Sequence, residues 1–278
     1  MTMLQCGLFE LDLGRPRIMA VINLTPDSFS GDGHGHDLGP ALAHAEQAIA
    51  DGADILDIGG ESSRPGAEPV GEQEELDRVM PLLERLKDFS LPVSIDTVKP
   101  RVMRETLAAG ASMINDINAF REPGAPEAVA GSTAALCVMH MLGTPRTMQT
   151  DPRYDDVVTE VGDFLERQVA RLREVGVASR RIVIDPGFGF GKTVDHNLAL
   201  LRALERLTAT GYPVLAGLSR KSLLGVLTGR PASERVIGSV TSALIAVQRG
   251  ARIVRVHDVA ATRDALKVWE AVAGQGGA

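Results

Sequence analysis

Three polar residues at the ends of apolar runs are the first candidates for chemistry in this chain. Asp96 closes P-V-S-I-D, Asn115 lies in S-M-I-N-D, and Asp185 follows I-V-I. Ionised carboxylates only accept hydrogen bonds, whereas an amide both donates and accepts. Such a set suits a flat nitrogen heterocycle that presents N–H groups along one edge. An acidic pair could instead hold a divalent cation or share a proton between acid and base, but the Asn between them and the apolar neighbours favour a planar ring. A second cluster is cationic: Arg64 in G-G-E-S-S-R-P-G, with Arg255 and His257 in R-V-H-D-V. Arginine forks match phosphate oxygens, although Arg64 taken by itself also reads as a solvated loop residue. Arg220 and Lys221 in G-L-S-R-K-S read either as anion ligands or as surface. His140, between Met139 and Met141, reads as packed at a strand end rather than as catalytic.

The stretch around Asp185 is I-V-I-D-P-G-F-G-F-G-K, from Ile182 to Lys192. Its apolar start predicts a strand buried on both faces. The glycines at 187, 189 and 191 predict a main chain that a ligand approaches closely, and the alternative is a plain Asx turn built by Asp185. Two phosphate motifs fail here. Pro186 stands where a P-loop needs glycine, and the dinucleotide fingerprint needs its third glycine one residue after Gly191.

Something must bring these residues together, and the chain supplies a regular alternation. Strands are expected over Arg17–Asn23, Asp54–Gly59, Pro92–Asp96, Ser112–Asp116, Ala134–Met141, Ile182–Asp185, Pro213–Ser219 and Arg252–His257. Helical spacing follows each strand, at Pro40–Ala50, Glu72–Lys87, Pro100–Ala109, Pro126–Ala130, Asp155–Val175, Asp195–Leu207, on through Gln248, and at Ala261–Ala273. The repeat averages about 33 residues, right for a βα unit. Eight units without a linker predict one α/β domain over residues 1–278, a (β/α)8 TIM barrel preceded by a short hairpin within Leu4–Arg15. A doubly wound open sheet shares the alternation and is the second choice. The expected strands end at Asn23, Gly59, Asp96, Asn115, His140, Asp185, Ser219 and His257. One polar strand end is commonly a helix cap. A full ring of them matches the C-terminal face, where such barrels carry out chemistry.

Composition narrows the class. Of 278 residues, 44% are apolar but only 4% aromatic, so aliphatic packing must build the core. The net charge of −7, with no basic run, argues against a nucleic-acid surface. Two cysteines, Cys6 and Cys137, form no disulfide framework. With no signal-like start and no apolar run of membrane length, a soluble cytoplasmic protein without membrane contact is expected.

The motifs together resemble one family. N-L-T-P-D-S-F-S from Asn23, G-G-E-S-S-R-P-G from Gly59, S-I-D, N-D-I, M-H-M, D-P-G-F-G-F-G-K, S-R-K-S and R-V-H-D-V are similar to dihydropteroate synthases. The likeness runs from about Arg17 to Val272 and touches every strand end. It implies a (β/α) barrel that joins 6-hydroxymethyl-7,8-dihydropterin diphosphate to 4-aminobenzoate, releasing diphosphate and making dihydropteroate for folate synthesis. By resemblance, Asp96, Asn115, Asp185 and Lys221 form the pterin pocket, with Met139 beside the ring. Asn23 holds Mg2+ on the diphosphate, which Ser63, Arg64, Arg255 and His257 contact. Phe190, Pro65, and Ser219 with the stem of Lys221 wall the aminobenzoate, over which Phe29 and Arg64 close. The resemblance also implies a homodimer through helices remote from the strand-end face. Rival readings are a pterin-dependent methyltransferase, which has no use for the diphosphate set, and a catalytically silent pterin-binding paralogue. Ser63 departs from the threonine usual in the family, keeping the hydroxyl but losing the stiff β-branch. His34 and His36, in S-G-D-G-H-G-H-D, read as a polar loop tip.

Overall fold

The computed structural model describes residues 2–24, 38–64 and 66–274 of the chain. A hairpin comes first, β1 (Met3–Cys6) and β2 (Phe9–Asp12), paired from Met3↔Asp12 to Cys6↔Phe9. The turn passes through Gly7 at φ 63°, where a side chain would be strained. The alternation then runs β3 (Arg17–Asn23), α1 (Gly39–Ala50), β4 (Ile55–Gly59), α2 (Glu72–Leu86), β5 (Val93–Asp96), α3 (Pro100–Ala108), β6 (Met113–Asp116) and α4 (Ala125–Ala130). It continues with β7 (Ala135–Met139), α5 (Val157–Glu174), β8 (Ile182–Asp185), α6 (Val194–Arg202), α7 (Leu204–Thr208), β9 (Leu215–Ala216), α8 (Ser222–Thr228), α9 (Val236–Gln248), β10 (Ile253–Val256) and α10 (Val259–Ala273).

β3 to β10 form one parallel sheet in the order β8-β7-β6-β5-β4-β3-β10-β9. A parallel bridge between Ile184 and Val214 joins its ends, with the Ile184 amide donating to the Pro213 carbonyl at 2.9 Å. The sheet is therefore a barrel, as expected, and not the open doubly wound alternative. Helix starts follow local chemistry. Proline stands in the first turn of α1, α3 and α4, where its missing N–H costs no intrahelical bond. Asp156 caps α5 by accepting from the Val158 amide at 3.0 Å, and Thr193 with His196 forms a capping box on α6.

Two of the expected spans are wrong in detail. The strand expected over Pro213–Ser219 is only β9, two residues long. Pro213 has no N–H for a ladder, and beyond Ala216 the chain turns, with Arg220 at φ 58°. The helix expected over Asp195–Leu207 breaks at Ala203. The Arg202 carbonyl accepts from Arg249 Nη1 at 2.6 Å, and the Arg206 amide bonds the Ala203 carbonyl instead.

Successive strand residues point to opposite sides, and this divides the core. Outward residues such as Ile18, Ala20, Ile22, Leu56 and Ile58 pack under the helices. At the strand starts the inward residues Met19, Ile55, Met113, Val183, Leu215 and Ile253 form an apolar floor with Leu4, Cys6, Leu11 and Leu13 of the hairpin region. Two residues further along, the inward positions become Asp57, Asn115, Asp185 and Arg255 on four of these strands, with Gly217 after the short β9 and Val21 still apolar on β3. That step from apolar to polar creates the site.

Candidate active site

A cleft enclosing about 430 Å³ opens at the C-terminal mouth of the barrel. Asp96, Asn115 and Asp185 line it together, with Met139, Phe190 and Lys221 beside them. Strand pairing sets their spacing: Asp96 stands opposite Asn115 across β5 and β6, and Met139 opposite Asp185 across β7 and β8. Ser63, Ser219, Arg255 and His257 complete the wall. Ten sequence-derived candidates thus converge on one cavity. A larger hollow of about 690 Å³ adjoins it, sharing Ser63, Asp96 and Ile117 and reaching Glu75, Met141 and Pro145.

The charges in the cleft are strongly coupled. Arg255 was expected to serve phosphate, but it donates from Nε to Asp57 Oδ2 at 2.6 Å and from a terminal nitrogen to Asp96 Oδ2 at 3.0 Å. Its guanidinium therefore neutralises the cleft's own carboxylates, a pairing that the strand-end pattern does not reveal. Burial raises the Asp96 pKa to about 7, with Asp57, Glu75 and Asp116 adding to the shift and Arg255 opposing it. Asp185 is shifted upward by burial as well, against the Gly187 amide, Lys221 and Lys192. Lys221 falls to about 7 through burial, partly offset by Asp185. Its ammonium donates to the Phe188 carbonyl and sits 4.1 Å from the centre of the Phe190 ring.

The glycines after Asp185 are required by the packing of the loop itself. A Cβ on Gly187 would lie 1.9 Å from the His140 carbonyl oxygen, one on Gly191 2.6 Å from the Leu142 Cβ, and one on Gly189 2.9 Å from the Lys221 stem. These residues let the loop approach its own neighbours, so the close contact is with protein. Asp185 also makes the turn, because Oδ1 accepts from the Gly187 amide at 2.7 Å while the carboxylate lines the cleft. Site and Asx turn are both present. Lys192 is buried under the loop, 2.9 Å from the Gly187 and Phe190 carbonyls and 2.9 Å from His140 Nδ1. Burial and the Lys192 charge depress the His140 pKa to about 2, and its ring packs edge-on against Phe164 at 4.8 Å. His140 is a packed, neutral histidine, as expected.

Ser219 Oγ accepts from the His257 amide at 3.2 Å and lies 3.0 Å from His257 Nδ1. With the hydroxyl proton given to Nδ1, the imidazole carries its N–H on Nε2. Burial, then Arg255 and Arg220, lowers the His257 pKa to about 4. At neutral pH the ring is therefore a neutral imidazole rather than a cation, and in that tautomer Nε2–H is its donor. Arg64 is exposed and outside the cleft wall. Asn23 ends β3 opposite Gly59. Phe29, His34, His36 and Pro65 lie outside the described residues.

Two groups escape a reading of strand ends. Asp57 is fully buried and holds both Arg255 and, at 3.1 Å, the Asn115 side-chain amide. Its signal is an acid inside the otherwise apolar run D-I-L-D-I-G. Lys99, past the end of β5, donates to Glu61 and to buried Glu75, while Arg78 Nη1 bonds the Gly60 carbonyl at 2.6 Å. These contacts anchor the base of the loop bearing Ser63 and Arg64.

Comparison with known proteins agrees with this geometry. A family model described as pterin binding enzyme matches residues 19–257. The dihydropteroate synthase of Neisseria meningitidis serogroup B is 52% identical over 275 residues, covering 96% of each chain. A crystal structure of Burkholderia cenocepacia dihydropteroate synthase complexed with 7,8-dihydropteroate superposes with a TM-score of 0.90 at 56% identity, covering 98% of this chain and 97% of the other. The Xanthomonas albilineans dihydropteroate synthase with 4-aminobenzoic acid gives a TM-score of 0.92 at 52% identity, covering 98% of each.

Proposed function

The chain belongs to the pterin binding enzymes and, among them, to the dihydropteroate synthases, and from that premise we propose how its own residues carry out the reaction. The protein condenses 6-hydroxymethyl-7,8-dihydropterin diphosphate with 4-aminobenzoate, giving 7,8-dihydropteroate and diphosphate. The observation that carries this reading is the convergence of Asp96, Asn115 and Asp185 in one buried cleft with Ser63 and His257 on its wall. The first three offer hydrogen-bond acceptors to the N–H groups of the pterin, and Met139 packs beside the ring. Ser63, Arg64 and the Nε2–H of His257 receive the diphosphate. Arg255 contributes its positive field while remaining tied to Asp57 and Asp96.

The chemistry follows from where charge develops. The methylene C–O bond breaks, and diphosphate leaves with the electron pair. The positive charge left on the methylene spreads into the ring, where the nearby carboxylates favour it. The arylamine attacks the methylene carbon and then loses its proton. An arylamine is nucleophilic at neutral pH, so positioning matters more than a strong base. Phe190, Ser219 and the stem of Lys221 wall the amine's approach, joined by Phe29 and Pro65 from the flanking loops.

Mg2+ on the diphosphate is part of the proposal, with Asn23 as its protein ligand. Magnesium is commonly held by one or two protein oxygens plus substrate phosphates. The structure suits that arrangement: among the described residues no cluster of three acidic, histidine or cysteine side chains could hold a metal alone. Gly59 also keeps the backbone bare beside Asn23, because a Cβ there would stand in van der Waals contact with Asn23 Oδ1 at 3.8 Å and the Asp96 Cβ at 3.7 Å. When bound, the ion would supply positive charge against the leaving diphosphate.

A homodimer and a cytoplasmic location complete the reading. Val226 in α8, Ile237 in α9, and Val268 and Val272 in α10 expose apolar side chains on adjoining helices, which supports a partner there. Diphosphate release tests the whole: it should require the pterin diphosphate, 4-aminobenzoate and magnesium together. Release of equal rate without 4-aminobenzoate, or none with all three, would overturn it.

A further inference from the structure

We infer that Asp57, which never reaches the substrate, is the positioning residue that sets the hydrogen-bonding polarity of the pterin pocket. The inference rests on the pterin reading above. Asp57 sits in mid-strand on β4, wholly buried, and makes its two contacts through a single oxygen. Oδ2 accepts from Arg255 Nε at 2.6 Å and from Asn115 Nδ2 at 3.1 Å. The chemistry of the pair decides which way the Asn115 amide faces. A carboxylate oxygen already bonded to a guanidinium can only accept, so Asn115 must turn its NH2 towards Asp57. The carbonyl oxygen then points the other way, and Asn115 lines the cleft. Together with Asp96 and Asp185, the pocket presents acceptors to a ring that carries N–H donors.

Stability does not explain this acid. A buried carboxylate is costly to desolvate, and apolar residues of similar size commonly replace such groups without loss of stability. Asp57 Oδ1, moreover, has no hydrogen-bond partner among the described residues, and neither has Ser94 Oγ at the register position opposite. The satisfied oxygen is the one that faces the two residues of the substrate pocket.

Asp57→Ala tests the idea, because it removes the one oxygen that accepts from both Arg255 and Asn115 and so frees the Asn115 amide to reverse. Affinity for 7,8-dihydropterin diphosphate, read by calorimetry, should fall at least tenfold, while the aminobenzoate KM at saturating pterin stays within twofold. Asp57→Asn is the conservative rescue: its side-chain oxygen can take the Oδ2 position and still accept from both donors, so most of the pterin affinity should return. A double-mutant cycle separates positioning from general damage. If Asp57 acts through Asn115, then in an Asn115→Ala background the Asp57→Ala loss should shrink to less than half on a logarithmic scale. Fully additive losses, or unchanged pterin affinity in Asp57→Ala, would overturn the inference. Should Asp57→Ala not fold, Asp57→Glu, which keeps the charge but displaces it, carries the same cycle. Failure of the pterin reading itself would look different, because the unmodified protein would then not bind the pterin at all.

Discussion

The two ends of the barrel are built on the same eight strands, only one inward step apart, yet they do opposite work. At the floor, Met19, Ile55, Met113, Val183 and Ile253 close against Leu4, Cys6, Leu11 and Leu13, all buried. At the mouth, Asp57, Asn115, Asp185 and Arg255 occupy the next inward positions of β4, β6, β8 and β10. The floor gains stability by removing apolar surface from water. The mouth buries charges that suit the folded chain poorly until a ligand meets them. Mutations at the two ends should therefore separate stability from binding.

The largest effect is expected at the floor. Leu4→Ala leaves a cavity under the barrel and should cost about 2–5 kcal/mol of stability by chemical denaturation. Pterin affinity, measured well below the melting temperature, should stay within twofold. A large affinity loss would show that the two ends are coupled.

Asp185→Asn reverses the pattern. An asparagine can still accept from the Gly187 amide, so the turn survives and melting should barely move. One acceptor facing the ligand can become a donor, and charged hydrogen bonds contribute about 1.5–3 kcal/mol. Pterin affinity should fall about a hundredfold. An unchanged affinity with a lowered melting temperature would reduce Asp185 to its turn.

The mouth should also leave a mark on the pH dependence of stability. Burial raises the Asp96 pKa in the folded protein to about 7, from the 3.8 ordinary for a free aspartate. Between those values the folded state holds a proton that the unfolded chain has lost. Its contribution to stability is thus fully present below about 3.8 and is lost as pH rises through about 7. Asp96→Asn should flatten this falling component of the unfolding free energy between about pH 4 and 7. A profile identical to the parent's would show that Asp96 ionises freely in the empty cleft.

The smallest effect belongs to the loop that joins mouth to helix. Tyr154 donates to the Gly191 carbonyl at 2.8 Å. Tyr154→Phe removes one neutral hydrogen bond and should cost about 1 kcal/mol, visible as a melting shift of about 2–4 °C. Pterin affinity should change less than twofold. A larger drop in affinity would mean that the glycine loop shapes the pocket as well as packing it.

Much of this was legible in the chain itself. The alternation of buried runs with helical spacing determined the barrel, because parallel strands buried on both faces leave long apolar signatures. The polar residues at the ends of those runs marked the face that carries the mouth, although His140 packs away from the cleft against Lys192 and Phe164. Local capping chemistry, such as Asp156 and Thr193, is also written in the sequence. What only the tertiary structure decided are the pairings across strands. Arg255 and Asp57 are separated by 198 positions in the chain. No local pattern says that this arginine pairs with carboxylates of two other strands. The glycines after Asp185 carry the same ambiguity, because glycine shows that something approaches the backbone but not what approaches it. Asp57 lay hidden because a mid-strand acid has no signature other than its cost of burial. Only closure of the barrel gives that acid Arg255 and Asn115 as partners.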